Sequence, residues 1–527
     1  MTKIPEDTIH IRTWMLGGAL VLALYLIYAP SFTTDYLMAD EVARIGMKRD
    51  LSNASKFSFI SLGRGLFGVY SSLVYRFVGF DPMRVQLVRF LNFASLATIA
   101  VVLFYFFLRQ VHNAWLAFWI VLFLYSQPAF LVLMGYSVQI ISNSQPAIWL
   151  SLTAFYVYFY AFGEKDKRKW VRYGITLTLL LAAMQSTQTY AFFAMVPLTL
   201  LVLTEWEVRK GEIGVFFLIA LVSFVISVVL YKATLTYFGG TGYKMAEEGF
   251  GALVTVPGSV AVKAVNPLGY WSAFKMWSYP FPFHYTQPLG KLKEYLALGF
   301  LFSWVVIIVS AVITEVRADP SVKKIHVTQK WLGMIVCLGF GALWMVADSP
   351  LVIIEHRPHM TLTFVGVVIF AAAYALRVLA SHYSVLRGLV FRGGAVLFVI
   401  FVAVGAQSDF LRGVVDNYAD QLDFIRTELA DMPKSGSGRI VVVLPDEEIR
   451  LREPCGKHMG NGTMGRWHET REGRYRYALA TMGVEPDSKE IVFVTERPID
   501  VQEDEVIVDW TKYVAARRHR ASYLRER

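Results

Sequence analysis

Cysteine and charged residues are both scarce in this sequence. Asp, Glu, Lys and Arg make up 17% of the 527 residues, whereas an ordinary soluble domain carries about 25% charged residues. Cys337 lies in an apolar run and Cys455 in a polar C-terminal region, so we expect no disulfide and infer no redox compartment. No P-loop, dinucleotide-binding glycine pattern or zinc-protease motif stands out, which argues against nucleotide-driven chemistry.

Apolar residues are abundant instead, at 55% hydrophobic and 15% aromatic. Apolar runs of about 18 residues or more recur along most of the chain, and each is long enough to cross ~30 Å of hydrocarbon. The sequence therefore predicts an all-α polytopic membrane protein. The first run is not followed by a clear cleavage site, so we expect a retained helix. The net charge of +10 indicates cytoplasmic loops and contact with anionic membrane lipids rather than nucleic acid.

We count about eleven transmembrane helices. Lys3 and Arg12 precede the first apolar run, which favours a cytoplasmic N-terminus. The run 170–203 is too long for one crossing, and the polar string from Gln185 to Tyr190 divides it into two. The predicted crossings are 13–28, 85–108, 114–134, 146–162, 170–203 (counted twice), 215–238, 292–313, 331–347, 361–379 and 393–407.

The distribution of Lys and Arg agrees with this topology, because four predicted inner loops carry cation clusters. Residues 66–80 are apolar but short and contain Arg76, which predicts a helix that lies in the membrane interface or enters the membrane only partway. A full crossing there would move every later loop to the other side. The inner clusters are Lys165, Lys167, Arg168 and Lys169; Arg209 and Lys210; Lys323 and Lys324; and Arg387 and Arg392.

The composition changes after residue 408, so we divide the chain into a transmembrane domain, 1–408, and a small extramembrane α/β domain, 409–527. Apolar residues at three-and-four spacing predict an amphipathic helix in the first part of the second domain. Strands are predicted at 439–444, 491–494 and 506–508, with a helix at 472–482. With eleven crossings, the C-terminal domain is expected outside the cytoplasmic membrane.

The loop after the first helix, residues 31–64, is rich in acids, bases and hydroxyl groups. Asp35, Asp40 and Glu41 lie within a few residues of the membrane exit, and Arg44 follows Asp40 at helical i, i+4 spacing. A carboxylate fixed by such a pairing can act as general base on a sugar hydroxyl. The alternative is a solvated loop whose surface ion pair contributes little.

With the N-terminus inside, the loop 31–64 is predicted to lie outside the membrane. Cations predicted on that outer side form a second group of candidate site residues. Charges at membrane depth are costly and tend to face a cavity or a partner, and Arg binds phosphate well. Snorkelling to lipid phosphates is the alternative. The aromatics of the segment 239–291 could stack on sugar rings, but for most of them a membrane interface belt is the favoured interpretation. Cys455, His458 and His468 match no zinc spacing that we trust. The outer cations are Arg64, Arg76, Arg84, Arg89, His284, Arg357 and His359.

Together these features resemble the GT-C superfamily of membrane glycosyltransferases, and within it the bacterial enzymes that add glucose or related sugars to O-antigen from a polyprenyl-phosphate donor. The resemblance spans most of the chain through short motifs. They are the acidic pair Asp40-Glu41 followed by Arg44, the Gly63-Arg64 segment, the Gln- and Tyr-containing break from Gln185 to Tyr190, and Arg357 in a late outer loop.

The resemblance implies an inverting glycosyltransferase of the bacterial inner membrane, with a GT-C-like fold and a periplasmic C-terminal domain. Its partners would be a polyprenyl-phosphate-linked sugar donor, a glycan acceptor and membrane lipids. The candidate catalytic acids are Asp40, then Glu41, then Asp35. The candidate substrate-binding residues are Arg44, Arg64, Arg89, Gln188, Tyr190, His284, Arg357 and His359.

One departure from the family concerns metal. Many members carry a second acid in the next outer loop, whereas the segment GYSVQIISNSQ at 135–145 has none. This argues against a metal-assisted mechanism, so no metal ligand is assigned and a divalent ion stays an open alternative as cofactor.

Two other functions stay open from sequence. A transporter or flippase for a lipid-linked glycan would use the same outer cations, but would need charges through the bundle centre and often repeated halves. An O-antigen ligase or polymerase would depend on the outer arginines rather than on Asp40.

Overall fold

The computed structural model of the protein describes most of the helical bundle and of the C-terminal domain. The described residues are 6–34, 65–135, 137–162, 168–238, 292–318, 323–347, 362–383, 407, 415–432, 438–444, 468–494 and 505–513. The structure is mainly helical over these ranges, with one small sheet.

The first helices return the chain to one end of the bundle. Helix α1 (Glu6–Tyr28) is followed by the four-residue α2 (Pro30–Thr33), by α3 (Gly65–Val78) and by the long α4 (Pro82–Val111). The 14 residues of α3 span only about 21 Å at 1.5 Å per residue, which is short of the hydrocarbon thickness. Arg89, near the start of α4, contacts the end of α2, so α3 does not carry the chain across. The prediction of a non-crossing helix at 66–80 is confirmed.

The second hairpin turns sharply and then departs from the predicted boundaries. His112 adopts a left-handed conformation (φ 54°), and the Asn113 side chain accepts a bond from Leu116 N at 3.0 Å, which starts α5 (Ala114–Tyr125). The predicted crossing 114–134 is broken at Ser126 and Gln127 and resumes as α6 (Pro128–Gly135).

The predicted outer loop 135–145 is wrong in its secondary structure. Helix α7 (Ser137–Tyr156) begins inside it and ends in a π-helical turn, Val157–Ala161. Residues 137–145 contain no glycine or proline that would end a helix. Pro146, predicted as the start of a helix, lies inside this one.

The run 170–203 is divided as predicted. Helix α8 (Lys169–Ser186) ends where Thr187 is extended, the short α9 (Gln188–Ala191) follows, and α10 (Met195–Phe238) is non-helical only at Glu205. The rings of Phe192 and Phe224 lie 6.4 Å apart, whereas a straight helix would separate them by about 48 Å. The chain therefore reverses at Glu205, where the sequence predicted a longer inner loop.

The remaining described helices of the bundle are α11 (Leu292–Ala318), α12 (Lys323–Ala347) and α13 (Leu362–His382). Glycines allow two close approaches between them and their neighbours. A Cβ on Gly341 of α12 would lie 2.9 Å from Phe364 Cα of α13, and one on Gly366 would lie 2.6 Å from a methyl of Val196. Small residues at such contacts let helix backbones pack closely in membranes.

Three helical stretches among the described residues are long and apolar enough to cross a membrane: Pro82–Val111, Gln188–Thr234 and Leu362–His382. Thr13–Tyr28 and Ala114–Tyr125 are shorter apolar helices. These lengths and compositions indicate a multi-pass membrane protein. The predicted crossing 393–407 lies almost wholly outside the described residues, and the number of eleven stays a prediction.

The predicted inner connections meet at one end of the bundle. Gln110 at the end of α4 donates to Glu205 at 2.8 Å, and Glu205 pairs with Arg209 at 2.7 Å. Glu212 then accepts from Arg172 at 3.2 Å. Gln110 lies about 31 Å along α4 from Arg89, so this cluster and the α2 contact occupy opposite ends, as the predicted topology requires.

A second polar cluster at the same end joins α11, α12 and α13. Glu315 accepts from Lys330 Nζ at 2.5 Å, from the Tyr374 hydroxyl at 2.7 Å and from Trp331 Nε1 at 3.1 Å. The side chains of Glu315 and Lys330 are only 13% and 14% exposed. The donors on two helices thus converge on one carboxylate.

The C-terminal domain contains α14 (Asp416–Glu428), β1 (Gly438–Val443), α15 (His468–Thr481), β2 (Lys489–Val494) and β3 (Glu505–Asp509). The predicted strands and helices lie at these positions. The strands form a parallel sheet in the order β2-β1-β3. Leu422, Ile425 and Leu429 of α14 share a core with Tyr75 and Val78 of α3 and with two valines of α4, Val85 and Val88. The domain therefore packs on the end of the bundle where α1 ends.

Candidate functional site

Three of the predicted site residues lie in the described part of the structure: Arg89, Gln188 and Tyr190. The others fall outside the described residues, so their positions stay predictions. These are Asp35, Asp40, Glu41, Arg44, Arg64, His284, Arg357 and His359. The described residues stop at Thr34 and resume at Gly65, so they include the residue on each side of the segment 35–64.

Arg89 is fully buried on α4 and reaches the first attachment point. Its Nη1 donates to the carbonyl of Ser31 at 3.3 Å and to the carbonyl of Thr34 at 3.1 Å. Ser31 is itself buried, and its hydroxyl donates to the carbonyl of Tyr28 at 2.7 Å. The residue before Asp35 is thus held by a charge-assisted contact from the interior of the bundle.

A buried amide pair lies one helical turn beyond Arg89. Asn92 Nδ2 donates to the carbonyl of Leu133 at 3.1 Å, and Gln145 Nε2 donates to the Asn92 carbonyl at 2.8 Å and to Asn92 Oδ1 at 2.5 Å. Both side chains are buried. These bonds tie α4 to α6 and α7 at the same depth as Arg89.

Two buried tyrosines complete the same polar layer. The Tyr28 hydroxyl donates to the carbonyl of Tyr125 at 2.6 Å, and the Tyr125 hydroxyl donates to the carbonyl of Leu96 at 2.9 Å. The ring of Tyr125 stacks on Phe130 at a centroid distance of 4.0 Å. The end of α1 is therefore fixed to α4 and α5 by hydrogen bonds that leave little freedom at the exit.

Gln188 and Tyr190 lie in the break between α8 and α10 and are both 1% exposed. Ser151 of α7 supports this break, because its hydroxyl donates to the carbonyl of Ala191 at 2.8 Å and accepts from Ala194 N at 2.8 Å. The predicted helix break is confirmed, and the two side chains lie inside the bundle rather than on its surface.

Two further arginines at this end are exposed. Arg84 pairs with Asp81 at 3.0 Å and donates to the carbonyl of Phe77 at 2.9 Å, while Asp81 accepts from Met83 N at 2.9 Å and so begins α4. Arg84 is thus part of a local helix start. Arg76 is exposed near the end of α3.

The described part of the site provides placement rather than reacting groups. Asn92 and Gln145 were not predicted as site residues, because an amide in an apolar run gives no sequence signal that distinguishes a buried network from a random polar position. No group of three or more His, Cys, Asp or Glu side chains that could hold a metal ion occurs among the described residues. The polar layer of Arg89, Asn92, Gln145, Tyr28 and Tyr125 can fix the path of that acidic segment.

The chain is similar to solved structures, whereas comparisons of its sequence find no match. No family model matches the chain, and no curated protein matches it. Among solved structures, the chain is similar to the crystal structure of ArnT from Cupriavidus metallidurans bound to undecaprenyl phosphate, with 12% sequence identity, coverage of 91% of this chain and 89% of that chain, and a TM-score of 0.39.

Proposed function

We propose that the protein is a membrane glycosyltransferase that moves glucose or a related hexose from a polyprenyl-phosphate donor to a cell-surface glycan, such as a lipopolysaccharide O-antigen. The transfer would occur on the outer side of the bacterial cytoplasmic membrane. One observation carries the proposal: the chain just before Asp35 is bound by the buried guanidinium of Arg89. A solvated loop would not need a buried cation to hold its start.

The chemistry requires few groups. The acceptor hydroxyl oxygen attacks the anomeric carbon, the bond from that carbon to the phosphate oxygen breaks, and the hydroxyl proton goes to a carboxylate. We assign that base to Asp40, with Glu41 second and Asp35 third, because Arg44 follows Asp40 at i, i+4 spacing in the sequence and a cation so placed would favour the ionised carboxylate. Polyprenyl phosphate leaves with the bonding electrons, and attack from the opposite face inverts the anomeric carbon.

Cations stabilise the leaving phosphate in this scheme. Arg64 and Arg357 are the proposed ligands, since an arginine can donate two parallel hydrogen bonds to phosphate. His284 and His359 are further candidates on the same predicted side. Gln188 and Tyr190 are buried in the bundle interior, and any contact they make with substrate would be with the part that enters the bundle.

The test is sugar transfer by the purified full-length protein in lipid nanodiscs, from a polyprenyl-phosphate-linked hexose to an O-antigen acceptor. Asp40→Asn should lower turnover by about 10²–10⁴-fold, the usual share of a general base, and leave donor binding intact. Arg64→Ala and Arg357→Ala should each lower turnover at least about tenfold, from loss of about 1.5–3 kcal/mol per charge-assisted contact.

A matched control is Asp423→Asn, which removes an exposed carboxylate (69% exposed, paired with Arg426 at 3.2 Å) from the C-terminal domain. It should leave turnover unchanged. If Asp40→Asn is as active as wild type while Glu41→Gln is inactive, the base is Glu41 and the enzyme class stands. Full activity in the Asn or Gln variants of all three acids would refute the glycosyltransferase proposal.

A further inference from the structure

The short helix α2 ends where the acidic segment begins, and its last carbonyls need partners. Carbonyls at the C-terminus of a helix lack an amide within that helix. Thr34 N donates to the carbonyl of Pro30 at 3.2 Å, and the carbonyls of Ser31 and Thr34 receive Arg89. A cationic side chain suits this position, because the carbonyl end of a helix carries partial negative charge.

Arg89 makes this contact through one nitrogen of its guanidinium group. Two hydrogen bonds to these carbonyls come from Nη1, which carries two hydrogens, and the side chain is fully buried. Burying a cation is costly unless hydrogen bonds compensate for lost water. The two carbonyls are 58 and 55 positions away in the chain, so the contact ties two distant segments together.

Ring packing holds the same two segments together. The ring of Phe32 in α2 lies 5.4 Å from that of Phe93 and 6.4 Å from that of Phe90, both on α4. One turn further along α4, the buried amides of Asn92 and Gln145 fix the helix against its neighbours. A side chain supported in this way can position a site precisely enough for chemistry.

We propose that Arg89 is a positioning residue, which closes the C-terminus of α2 and so sets where the acidic segment 35–64 leaves the bundle, and that it does not bind the donor phosphate. The assignment rests on the proposed function, because that segment carries Asp40. A displacement of about 1 Å caused by a change far from the reacting atoms can lower a rate about 100-fold. Arg89 would therefore act on turnover through the placement of Asp40.

The experiment compares Arg89→Gln and Arg89→Lys with Arg172→Gln in the full-length protein. Arg172 is a matched control, because it is also buried and bonded, to Glu212 at 3.2 Å, but lies at the opposite end of the bundle. Hydrogen–deuterium exchange of peptides covering 29–40 reports the state of α2 without any substrate. Binding of polyprenyl phosphate and steady-state transfer kinetics are measured on the same samples.

We expect Arg89→Gln to speed exchange at the amides of Thr33 and Thr34 and to lower kcat about 100-fold. The dissociation constant of polyprenyl phosphate should stay within about threefold of the wild-type value, because Arg89 does not bind the phosphate in this proposal. Arg89→Lys should lie between Arg89→Gln and wild type, since it keeps the charge and loses the paired donors of Nη1. Arg172→Gln should leave exchange at 29–40 unchanged.

Two results would overturn the proposal. Loss of polyprenyl phosphate binding with unchanged exchange at 29–40 would make Arg89 a phosphate ligand, and an equal rise of exchange in Arg172→Gln would mean general loosening. If Arg89→Gln does not fold, the same criteria apply to Arg89→Lys. Failure of the wild-type protein to transfer sugar would refute the proposed function, whereas exchange and lipid binding would still decide the role of Arg89.

Discussion

Two glycines on the same helix should respond in opposite ways to the same substitution. Gly339 and Gly341 both lie in α12, two positions apart. A Cβ on Gly341 would lie 2.9 Å from Phe364 Cα and 3.0 Å from Phe364 N, whereas a Cβ on Gly339 would meet nothing within 4 Å. We therefore predict that Gly341→Ala destabilises the protein and that Gly339→Ala does not.

The magnitude follows from two opposing terms. Replacing glycine by alanine inside a helix favours folding by about 1 kcal/mol, because the unfolded chain loses freedom. At Gly341 the new methyl would meet backbone atoms of α13, which cannot rotate away, so α12 and α13 must separate by several tenths of an ångström. Overpacking of this kind costs about 1–3 kcal/mol. Gly341→Ala should thus be destabilising by up to about 2 kcal/mol, and Gly339→Ala stabilising by up to about 1 kcal/mol.

The assay is unfolding of the purified protein in a fixed detergent, by SDS titration followed through tryptophan fluorescence. Each variant is compared with wild type for the free energy of unfolding. Gly341→Val serves as an amplified test, since a larger side chain at the same contact should destabilise further. If Gly341→Ala is as stable as Gly339→Ala, the close approach of α12 and α13 is wrong, and so is the reasoning from it.

Two other predictions concern the polar cluster around Glu315 and the membrane topology. Glu315→Gln should lower the free energy of unfolding by about 3–5 kcal/mol, because it leaves the Lys330 ammonium buried without its counter-charge. The double variant Glu315→Gln/Lys330→Met should recover about 1–3 kcal/mol of that loss in the same SDS assay. The exposed control Arg317→Gln should stay within about 0.5 kcal/mol of wild type. Equal stability of the single and double variants would contradict the ion pair at 2.5 Å. Green fluorescent protein fused after the last residue should stay dark, and alkaline phosphatase fused there should be active. The reason is that the C-terminal domain packs at the end of the bundle where α1 ends, which is the predicted outer end. Strong fluorescence would mean that the predicted membrane orientation is wrong.

Much of the architecture was predictable because it depends on local patterns. The polar string from Gln185 to Tyr190 marked a real break, since an apolar helix rarely contains so many consecutive side chains that prefer hydrogen bonds. The buried strands, such as β1 at Gly438–Val443, were predicted from runs of β-branched residues. The prediction for α3 followed from its short apolar run and from Arg76 within that run.

The parts that sequence missed depend on distant partners. The role of Arg89 in binding phosphate stays a prediction, but its bonds to the backbone carbonyls of Ser31 and Thr34 were missed, because such partners leave no trace in the sequence. The segment at 135–145 was predicted as a loop because Asn143 and Gln145 are polar, although Gln145 is buried against Asn92. The reversal near Glu205 was predicted, but not that it takes a single non-helical residue, because no turn motif signals so short a connection. The acids of the candidate site lie outside the described residues and stay predictions.

The core that α3 and α4 share with the C-terminal domain has a consequence for the order of biosynthesis. Val85 and Val88 leave the ribosome about 330 residues before Leu422 and Ile425, with which they pack. At about 5–20 residues per second, the interval is roughly 20–70 s. During this time the start of α4, where Val88 precedes Arg89, lacks its contacts with the C-terminal domain. This end of the bundle is therefore completed last, and a chain that stops before residue 415 leaves it incomplete.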